Sequence, residues 1–212
     1  MQEVDTFTYG NYYHIYNRGV NGCDIFIENT NYEYFMHRFQ KYLSPVVEIY
    51  AWVLMPNHFH FALRVKTEQE IENEQAEKRI FFPKGNMPKV GSPSQQFSNF
   101  LNSYSQSFNK MFERNGNLFE KRFKRKQIFD ITYMKKVICY VHDNPVHHKF
   151  CKHTVEYSWS SYMSYVSIDP TRSGKNKVLG WFDDSANFIC AHENRSNIDI
   201  QEIENFLEIG FH

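Results

Sequence analysis

Two histidines separated by one residue are the first feature of this sequence that points to chemistry. His58 and His60 flank Phe59 in the string MPNHFHFAL. Side chains alternate between the faces of a β-strand, so both imidazoles point to the same side if this segment is extended. Two neutral imidazoles side by side provide half of a metal site, although an isolated H-x-H pattern also fits a polar sheet face. Asn57, directly before the pair, fits a turn residue better than a ligand.

A second group of reactive side chains lies near the end of a helix predicted over residues 132–142. Tyr140 and Asn144 are four residues apart, and Lys136 comes one turn earlier, so the three share a helix face. A tyrosine hydroxyl has an unperturbed pKa of about 10, so as a nucleophile it needs a metal-polarised electrophile or a base. A metal at the histidine pair would supply the first. The alternative is that Tyr140 belongs to an apolar core stripe and Asn144 only ends the helix.

Basic and aromatic side chains are interleaved in residues 116–127, GNLFEKRFKRKQ. Phe119 and Phe123 lie among five basic residues, as in surfaces that contact phosphates through charge and bases through stacking. A solvated basic loop is the alternative interpretation. Two basic residues outside this segment are added to the predicted DNA contacts, Arg18 at the end of the first strand and Lys136 on the last predicted helix. The full set is Arg18, Lys121, Arg122, Phe123, Lys124, Arg125, Lys126 and Lys136.

The periodicity of apolar residues predicts the elements that position these side chains. Alternating and β-prone runs predict strands over 12–17, 46–54 and 58–65, and steps of three and four predict helices over 31–43, 94–112 and 132–142. The last helix is expected to end near Asn144, because Pro145 disfavours helical geometry in the residue before it. A strand, a helix, a hairpin and further helices indicate an α+β fold, best satisfied by an antiparallel sheet with helices on one face.

The predicted order of strands and helices divides the chain into one main domain and a short C-terminal extension. Residues 1–166 form the predicted catalytic domain, in which residues 67–93, rich in Glu and then in Pro and Gly, are an inserted connector. Residues 167–212 are the C-terminal extension, expected to pack on that body. From Trp181 to His212 it carries seven acidic residues against Arg195, whereas residues 110–136 hold nine Lys and Arg against three acids. The aromatic string YSWSSY is assigned mainly to core packing, through Tyr157, Trp159 and Tyr162.

The bulk composition excludes several classes of protein. The chain of 212 residues is 42% hydrophobic and 17% aromatic, which excludes a disordered chain, and its formal net charge is zero. Its four cysteines are widely spaced, without a C-x-x-C pair, so we expect reduced thiols. There is no basic region followed by an apolar run at the N-terminus and no apolar stretch of roughly 18 residues. We therefore expect a soluble, cytoplasmic protein.

Three strings, taken together and in this order, resemble a known family. They are MPNHFHFAL, then FNKMFERNGNLFEKRF, then YVHDNPV followed by SWSSY. This combination resembles the single-tyrosine HUH transposases, and within them the REP-associated tyrosine transposases. The resemblance covers roughly residues 12–165. The glutamate-rich connector and the acidic extension match no part of the family pattern.

The resemblance implies a ferredoxin-like α+β domain that binds single-stranded or hairpin DNA. His58 and His60 match the family's metal-binding pair, Asn144 a third ligand and Tyr140 the nucleophile, with Mg²⁺ or Mn²⁺ as the cation. Magnesium prefers oxygen ligands, so the amide oxygen, waters and the scissile phosphate would complete its shell. The implied reaction is attack by Tyr140 on a phosphodiester, which forms a 5′-phosphotyrosine link and releases a 3′-hydroxyl. The substrate would be a hairpin beside a short recognition tetranucleotide, and the protein a monomer or a homodimer.

Two other classes of function are weighed against this one. The first is a module that binds hairpin nucleic acid without catalysis, in which the histidines are vestigial. The second is a hydrolase that uses H-x-H as half of a zinc site. Residues Phe61, Ala62 and Leu63, which follow the pair, supply no Asp or third His for such a site.

Overall fold

The protein folds around a four-stranded antiparallel sheet, seen in a computed structural model. The structure describes residues 7–81, 90–121, 123–167, 174–194 and 200–207. The strands are β1 (Tyr12–Arg18), β2 (Val47–Met55), β3 (His58–Val65) and β4 (Lys124–Ile128), and their spatial order is β2-β3-β1-β4. With helix α1 (Asn29–Tyr42) after β1 and α3 (Pro93–Met111) before β4, this is the ferredoxin-like arrangement. The predicted α+β class is confirmed.

Helices cover both faces of this sheet, whereas the sequence analysis expected them on one. Helices α1 and α3 pack on the face that carries Phe59 and Phe61, in a core of aromatic and aliphatic side chains. The opposite face, with Tyr16 and Ala62, packs against α4 (Ile131–His147). The sheet is covered on both sides, so its central strands β1 and β3 are buried at almost every position, including the histidines that they carry.

Strand β4 was missed in the sequence, where the run Lys121 to Lys126 was assigned only to a basic surface. It pairs antiparallel with β1, placing Lys126 opposite His14 and Arg125 opposite Ile15. It lies at the edge of the sheet. An edge strand faces solvent along one side, and lysine is a common residue there because its charge discourages pairing with another chain. A strand of this kind carries little apolar signal.

Helix α4 is longer than predicted at its C-terminal end. Pro145 lies inside its last turn, and the helix ends at His147 instead of near Asn144. Proline removes one backbone donor, a small loss when only one turn remains. The backbone N–H of His148 still reaches the Asn144 carbonyl at 2.9 Å. Asn144 consequently keeps helical geometry and is fully buried.

The connector and the extension both contain helices. Residues of the connector form α2 (Glu68–Phe81), whose Ile71 joins the core and whose Glu70 bonds to Arg64. After α5 (Tyr162–Val166), the extension supplies α6 (Lys175–Trp181), α7 (Ser185–Glu193) and α8 (Ile200–Leu207). Val178, Phe188 and Ile203 join the core on the α4 side. The division near residue 166 stays a prediction. In the described ranges, no helix is long and apolar enough to cross a membrane.

Candidate functional site

Three histidines lie on the sheet face that α4 covers. His58 and His60 project from β3, and His14 projects from the neighbouring β1, where Tyr16 is the register partner of His60. His14 Nε2 lies 2.9 Å from His60 Nδ1, and all three imidazoles are buried. Burial lowers the pKa of His14 to about 3 and that of His58 to about 4, and it holds that of His60 well below its usual value. The three are therefore neutral near pH 7.

Only one of the two ring nitrogens of His60 has a hydrogen-bond partner among the described residues. Its Nδ1 meets His14, while its buried Nε2 has no hydrogen-bond partner among the described residues. A buried polar atom without a partner costs about 1–3 kcal/mol, so this nitrogen is available to a cation, a ligand or a water molecule.

His58 lies between two side-chain oxygens. Its Nδ1 is 2.6 Å from Asn57 Oδ1, and its Nε2 is 3.1 Å from Asn144 Oδ1. A neutral imidazole carries one N–H, so it can donate to only one of them. The Asn57 amide nitrogen donates to the Gly22 carbonyl at 3.5 Å, which keeps the Asn57 oxygen towards His58. The His58 Nε2 lone pair then faces the Asn144 oxygen, an arrangement that a cation would stabilise.

His58, His60 and Asn144 therefore fit a cation. His60 presents a lone pair on Nε2 when its Nδ1–H donates to His14, His58 presents one on Nε2, and Asn144 presents its amide oxygen; all three side chains are buried at the junction of β3 and α4. Of the groups formed by three or more His, Cys, Asp or Glu, none in the described part of the chain is placed to hold a metal ion. A candidate set at this place therefore needs an amide oxygen beside the two imidazoles, and the ligand set that the resemblance implied stays a prediction.

Tyr140 lies directly against this histidine group. Its ring centroid is 5.6 Å from that of His60 and 6.3 Å from that of His14, in edge-on geometry. Its hydroxyl is buried and forms no regular hydrogen bond within the described ranges. Asn144, one turn later on α4, faces the same group through His58. The helix thus brings together the phenol and the amide that the i, i+4 spacing predicted on one face.

The environment keeps the Tyr140 phenol protonated. Burial raises its pKa, the carboxylate of Glu204 raises it further, and the neighbouring Asn144 amide offsets part of this rise. Glu204 belongs to α8 and itself has a raised pKa because of burial. A phenol in these surroundings is a weak nucleophile until a positive charge or a proton acceptor reaches it.

The other candidates on α4 are separated from the histidines. Tyr133 packs at the margin of the core, and its backbone N–H bonds to the N-cap residue Asp130. Lys136 lies 3.6 Å from Glu202 of α8, and both side chains are substantially exposed. Among the described side chains of α4, the ring contacts to His14 and His60 belong to Tyr140.

The predicted DNA contacts are divided between the two faces of the sheet. Lys124 and Lys126 pair with Tyr16 and His14, so they face the histidine side, whereas Arg125 faces the α3 side. Arg125 lies over the rings of Phe7 and Phe123, at 4.5 and 5.3 Å from their centroids.

The remaining predicted contacts differ in how far they are available to DNA. Arg18 forms an ion pair with Glu120 at 3.2 Å, at the end of β1. Lys121 is exposed, and Arg122 lies outside the described residues.

The aromatic residues proposed for stacking are mostly part of the core. Phe119 is 7% exposed and packs against Phe59 and Tyr104, so its assignment to base stacking is wrong. Phe123 is half-buried against Phe97. The assignment of the YSWSSY string to packing is confirmed, since Trp159 stacks on Tyr32 at 4.5 Å.

Sequence reasoning missed two residues that orient the site. His14 was read only as part of a strand, and its period-two spacing with Tyr12 and Tyr16 was the available signal. Asn57 was assigned to the turn, and the structure shows it both in the turn and bonded to His58.

No protein-family model matches this chain, and no curated protein matches it. A solved structure described as a REP-associated tyrosine transposase bound to a REP hairpin has a similar fold, with a TM-score of 0.56 and 18% sequence identity. The match covers 82% of this chain and 93% of that chain. The resemblance seen in the sequence is therefore supported at the level of the fold.

Proposed function

We propose that this protein nicks and rejoins single-stranded DNA, with Tyr140 as the covalent nucleophile. The observation that carries the proposal is the position of the Tyr140 hydroxyl, buried without a regular hydrogen bond in the described ranges and packed against His60. A tyrosine placed only for packing would gain nothing from a buried hydroxyl that forms no regular hydrogen bond.

His58, His60 and Asn144 are the residues that would hold a divalent cation, Mg²⁺ or Mn²⁺. When bound, the cation would supply positive charge to a phosphodiester and to the phenolate oxygen. His14 holds His60 so that its Nε2 stays available, and Asn57 does the same for His58 Nε2. Hydrogen bonds at the Nδ1 atoms, which point away from the proposed cation, thus fix the orientation of the two histidine rings.

Tyr140 would carry out a transesterification. Its oxygen attacks phosphorus, a P–O bond to tyrosine forms, and the bond to the 3′ oxygen breaks. The phenol loses one proton and the departing 3′ oxygen gains one, so charge is balanced. One phosphoester replaces another, and attack by a second 3′-hydroxyl reverses the step and joins a new strand without external energy.

The DNA partner is supported by two independent features. Strand β4 presents Lys124 and Lys126 on the histidine side, where phosphates would pass Tyr140. The transposase of similar fold was solved bound to a REP hairpin, and we infer a single-stranded or hairpin DNA substrate for this chain also.

The test separates Tyr140 from the tyrosine two turns earlier on the same helix. Tyr140→Phe removes the hydroxyl and keeps the ring, so it should bind hairpin DNA normally and form no covalent adduct. Tyr133→Phe is the matched control and should still form it. Each protein is incubated with Mn²⁺ and hairpin DNA labelled at either end, and then run on a denaturing gel with peptide mapping of any shifted band.

An adduct that survives in Tyr140→Phe, or a DNA-linked peptide containing Tyr133 and not Tyr140, would refute the assignment. Normal binding without an adduct in the unmodified protein would favour the hairpin-binding module that lacks catalysis.

A further inference from the structure

A chain of hydrogen bonds between buried polar side chains connects α4 with the C-terminal extension. His142 of α4 is its central member, with Nε2 2.7 Å from Ser161 Oγ and Nδ1 2.9 Å from His192 Nε2. His192, on α7, continues the chain through Nδ1 to the Phe188 carbonyl at 2.7 Å. The exposed fractions of His142, His192 and Ser161 are 0, 2 and 4%. The proposed cleavage gives none of these side chains a role.

The carbonyl at one end fixes the direction of the bonds in this chain. A carbonyl oxygen only accepts, so His192 carries a proton on Nδ1 and, as a neutral ring, presents a lone pair on Nε2. Cys139 Sγ, 3.8 Å from the same Nδ1, is compatible with this because sulfur is a weak acceptor. His142 then donates from Nδ1–H to His192, and its Nε2 accepts the Ser161 hydroxyl. His192 therefore sets the tautomer of His142.

The other end of the chain is attached to the sheet beside His60. Ser161 Oγ accepts the backbone N–H of Trp52 at 2.9 Å, and the Ser161 backbone N–H donates to the Trp52 carbonyl at 2.9 Å. The next residue of β2, Val53, forms a bridge with Ser160 and is the register partner of His60. The hydrogen bonds of His142 therefore tie α4 to the part of the sheet that carries His60.

His142 holds α4 from the side opposite Tyr140. It lies between Tyr140 and Asn144 in the sequence, and two residues along a helix turn through about 200°, so its side chain points away from both. Tyr140 and Asn144 face the histidines of the sheet. Contacts on both sides of the helix fix its rotation about its own axis. Because the phenol belongs to the same helix, this rotation sets its distance from His60.

Hydrogen bonds define the position of a helix more sharply than the apolar contacts around them. The surrounding cluster, which includes Val178, Phe188 and Ile203, is apolar, and such cores accept changes of side chain by repacking. A hydrogen bond weakens steeply when its angle departs from linearity. A rotation of α4 that broke the chain would leave buried donors and acceptors unpaired, which is costly. The chain therefore opposes small rotations that packing alone would tolerate.

We propose that His142 and His192 are positioning residues for Tyr140, which hold α4 at the rotation that places the phenol against His60. The inference rests on the proposed function, because it takes Tyr140 to be the nucleophile. A displacement of about 1 Å at a reacting group can lower a rate by about 100-fold, so a bond chain remote from the phosphate can matter for the reaction. One task of the C-terminal extension is then to supply His192 to the helix of the nucleophile.

The experiment compares four variants of the full chain. His192→Phe and Ser161→Ala break the bond chain at its two ends, and His192→Gln keeps an acceptor for the His142 Nδ1–H. Val178→Ala is the control, because it removes buried apolar volume on α6 in the same core cluster and leaves the bond chain intact. Urea unfolding gives the stability of each variant. The position of the phenol is read without DNA, from the ¹⁹F NMR resonance of a fluorine label on the ring of Tyr140.

His192→Phe and Ser161→Ala should each shift the ¹⁹F resonance and lower the single-turnover rate of adduct formation by on the order of 10–100-fold, with DNA affinity unchanged. His192→Gln should recover most of both. Val178→Ala should lose stability and keep the resonance and the rate of the unmodified protein. A resonance that stays in place in both chain variants, no recovery in His192→Gln, or an equal change in Val178→Ala would overturn the proposal. If His192→Phe does not fold, Ser161→Ala decides.

The two readouts separate this inference from the proposed function. A resonance that depends on His192 and Ser161, in a protein that forms no adduct at all, would leave the positioning of Tyr140 standing and refute the nicking activity. Normal rates of adduct formation in His192→Phe and Ser161→Ala would refute the positioning role alone.

Discussion

The two nitrogens of His60 have different environments, and this difference is central to the candidate site. His14 holds Nδ1 at 2.9 Å, and Nε2 is buried without a partner in the described ranges. In a neutral imidazole one nitrogen donates and the other accepts. If His14 accepts from Nδ1–H, Nε2 presents a lone pair to a cation. His14 is therefore a positioning residue for a ligand of the proposed metal.

We expect His14→Phe to weaken cation binding by about 10–100-fold, the usual effect of losing a group that orients a metal ligand. The ring size is retained, so the hydrogen bond is the main loss. Mn²⁺ affinity of the complex with hairpin DNA is measured by isothermal titration calorimetry. His14→Gln keeps a polar group at the position and should recover part of the affinity. Equal Mn²⁺ affinity in all three proteins would show that His14 only fills space.

Changing His58 or His60 to Ala should abolish DNA cleavage with little loss of DNA binding. Both side chains are buried beside α4, and in the proposed function they would act through the cation on the phosphate and not on the bases. Cleavage and binding are followed on the same labelled hairpin, by denaturing gel and by anisotropy. Retained cleavage in both variants would contradict the metal assignment.

At the scale of elements, β4 connects the two faces of the sheet. Its alternation places Lys124 and Lys126 towards the histidines and Arg125 towards the α3 side. A basic run that forms an edge strand thus contributes charge to both surfaces. A loop with the same residues would have no such division.

Replacing Lys124 and Lys126 with Gln should weaken DNA binding and reduce its salt dependence. Each phosphate of a single strand that loses its cationic partner lowers the slope of log affinity against log salt by about 0.7, so two such phosphates lower it by about 1.4. The slope is obtained from anisotropy titrations over a series of salt concentrations. Exposed Lys41 and Lys152, changed together to Gln, are the control. An unchanged slope in the β4 variant would remove these residues from the interface.

At the scale of the whole molecule, the buried histidines make stability depend on pH. His14, His58, His60 and His142 are buried, and burial lowers the pKa of each. In the unfolded chain a histidine takes up a proton below a pH of about 6.5. In the native state the pKa is about 4 for His58 and about 3 for His14, so these side chains take up a proton only at a lower pH than in the unfolded chain. Stability is therefore complete above the unfolded pKa and is lost as the pH falls below it.

We expect the free energy of unfolding to fall by about 1.4 kcal/mol per pH unit for each of these histidines below a pH of roughly 6. Because all four pKa values are lowered, the four contributions have the same sign, and stability falls more steeply with decreasing pH than for a single buried histidine. Urea unfolding at several pH values measures the slope. His14→Phe should flatten it, whereas His37→Gln, at an exposed position of α1, should not. A slope unchanged by His14→Phe would contradict this account.

Local spacing in the sequence was enough to predict the central parts of this protein. The H-x-H pattern in a β-prone run placed His58 and His60 on one face, and four-residue spacing placed Tyr140 and Asn144 on one side of α4. The structure confirms these placements because strand alternation and helical periodicity are properties of the backbone alone. The same periodicities predicted α1, α3 and the β2–β3 hairpin.

Only the tertiary structure decided which separate elements meet. His14 is 46 residues from its partner His60, and the register of β1 against β3 brings them together. Strand β4 forms because its backbone pairs with β1, although its side chains are mostly basic. The helices cover both faces because α4 has an apolar side that needs its own surface of the sheet. Local periodicity does not specify which distant segments pair or pack together. Those contacts placed His14 beside His60, β4 beside β1 and α4 on its face of the sheet.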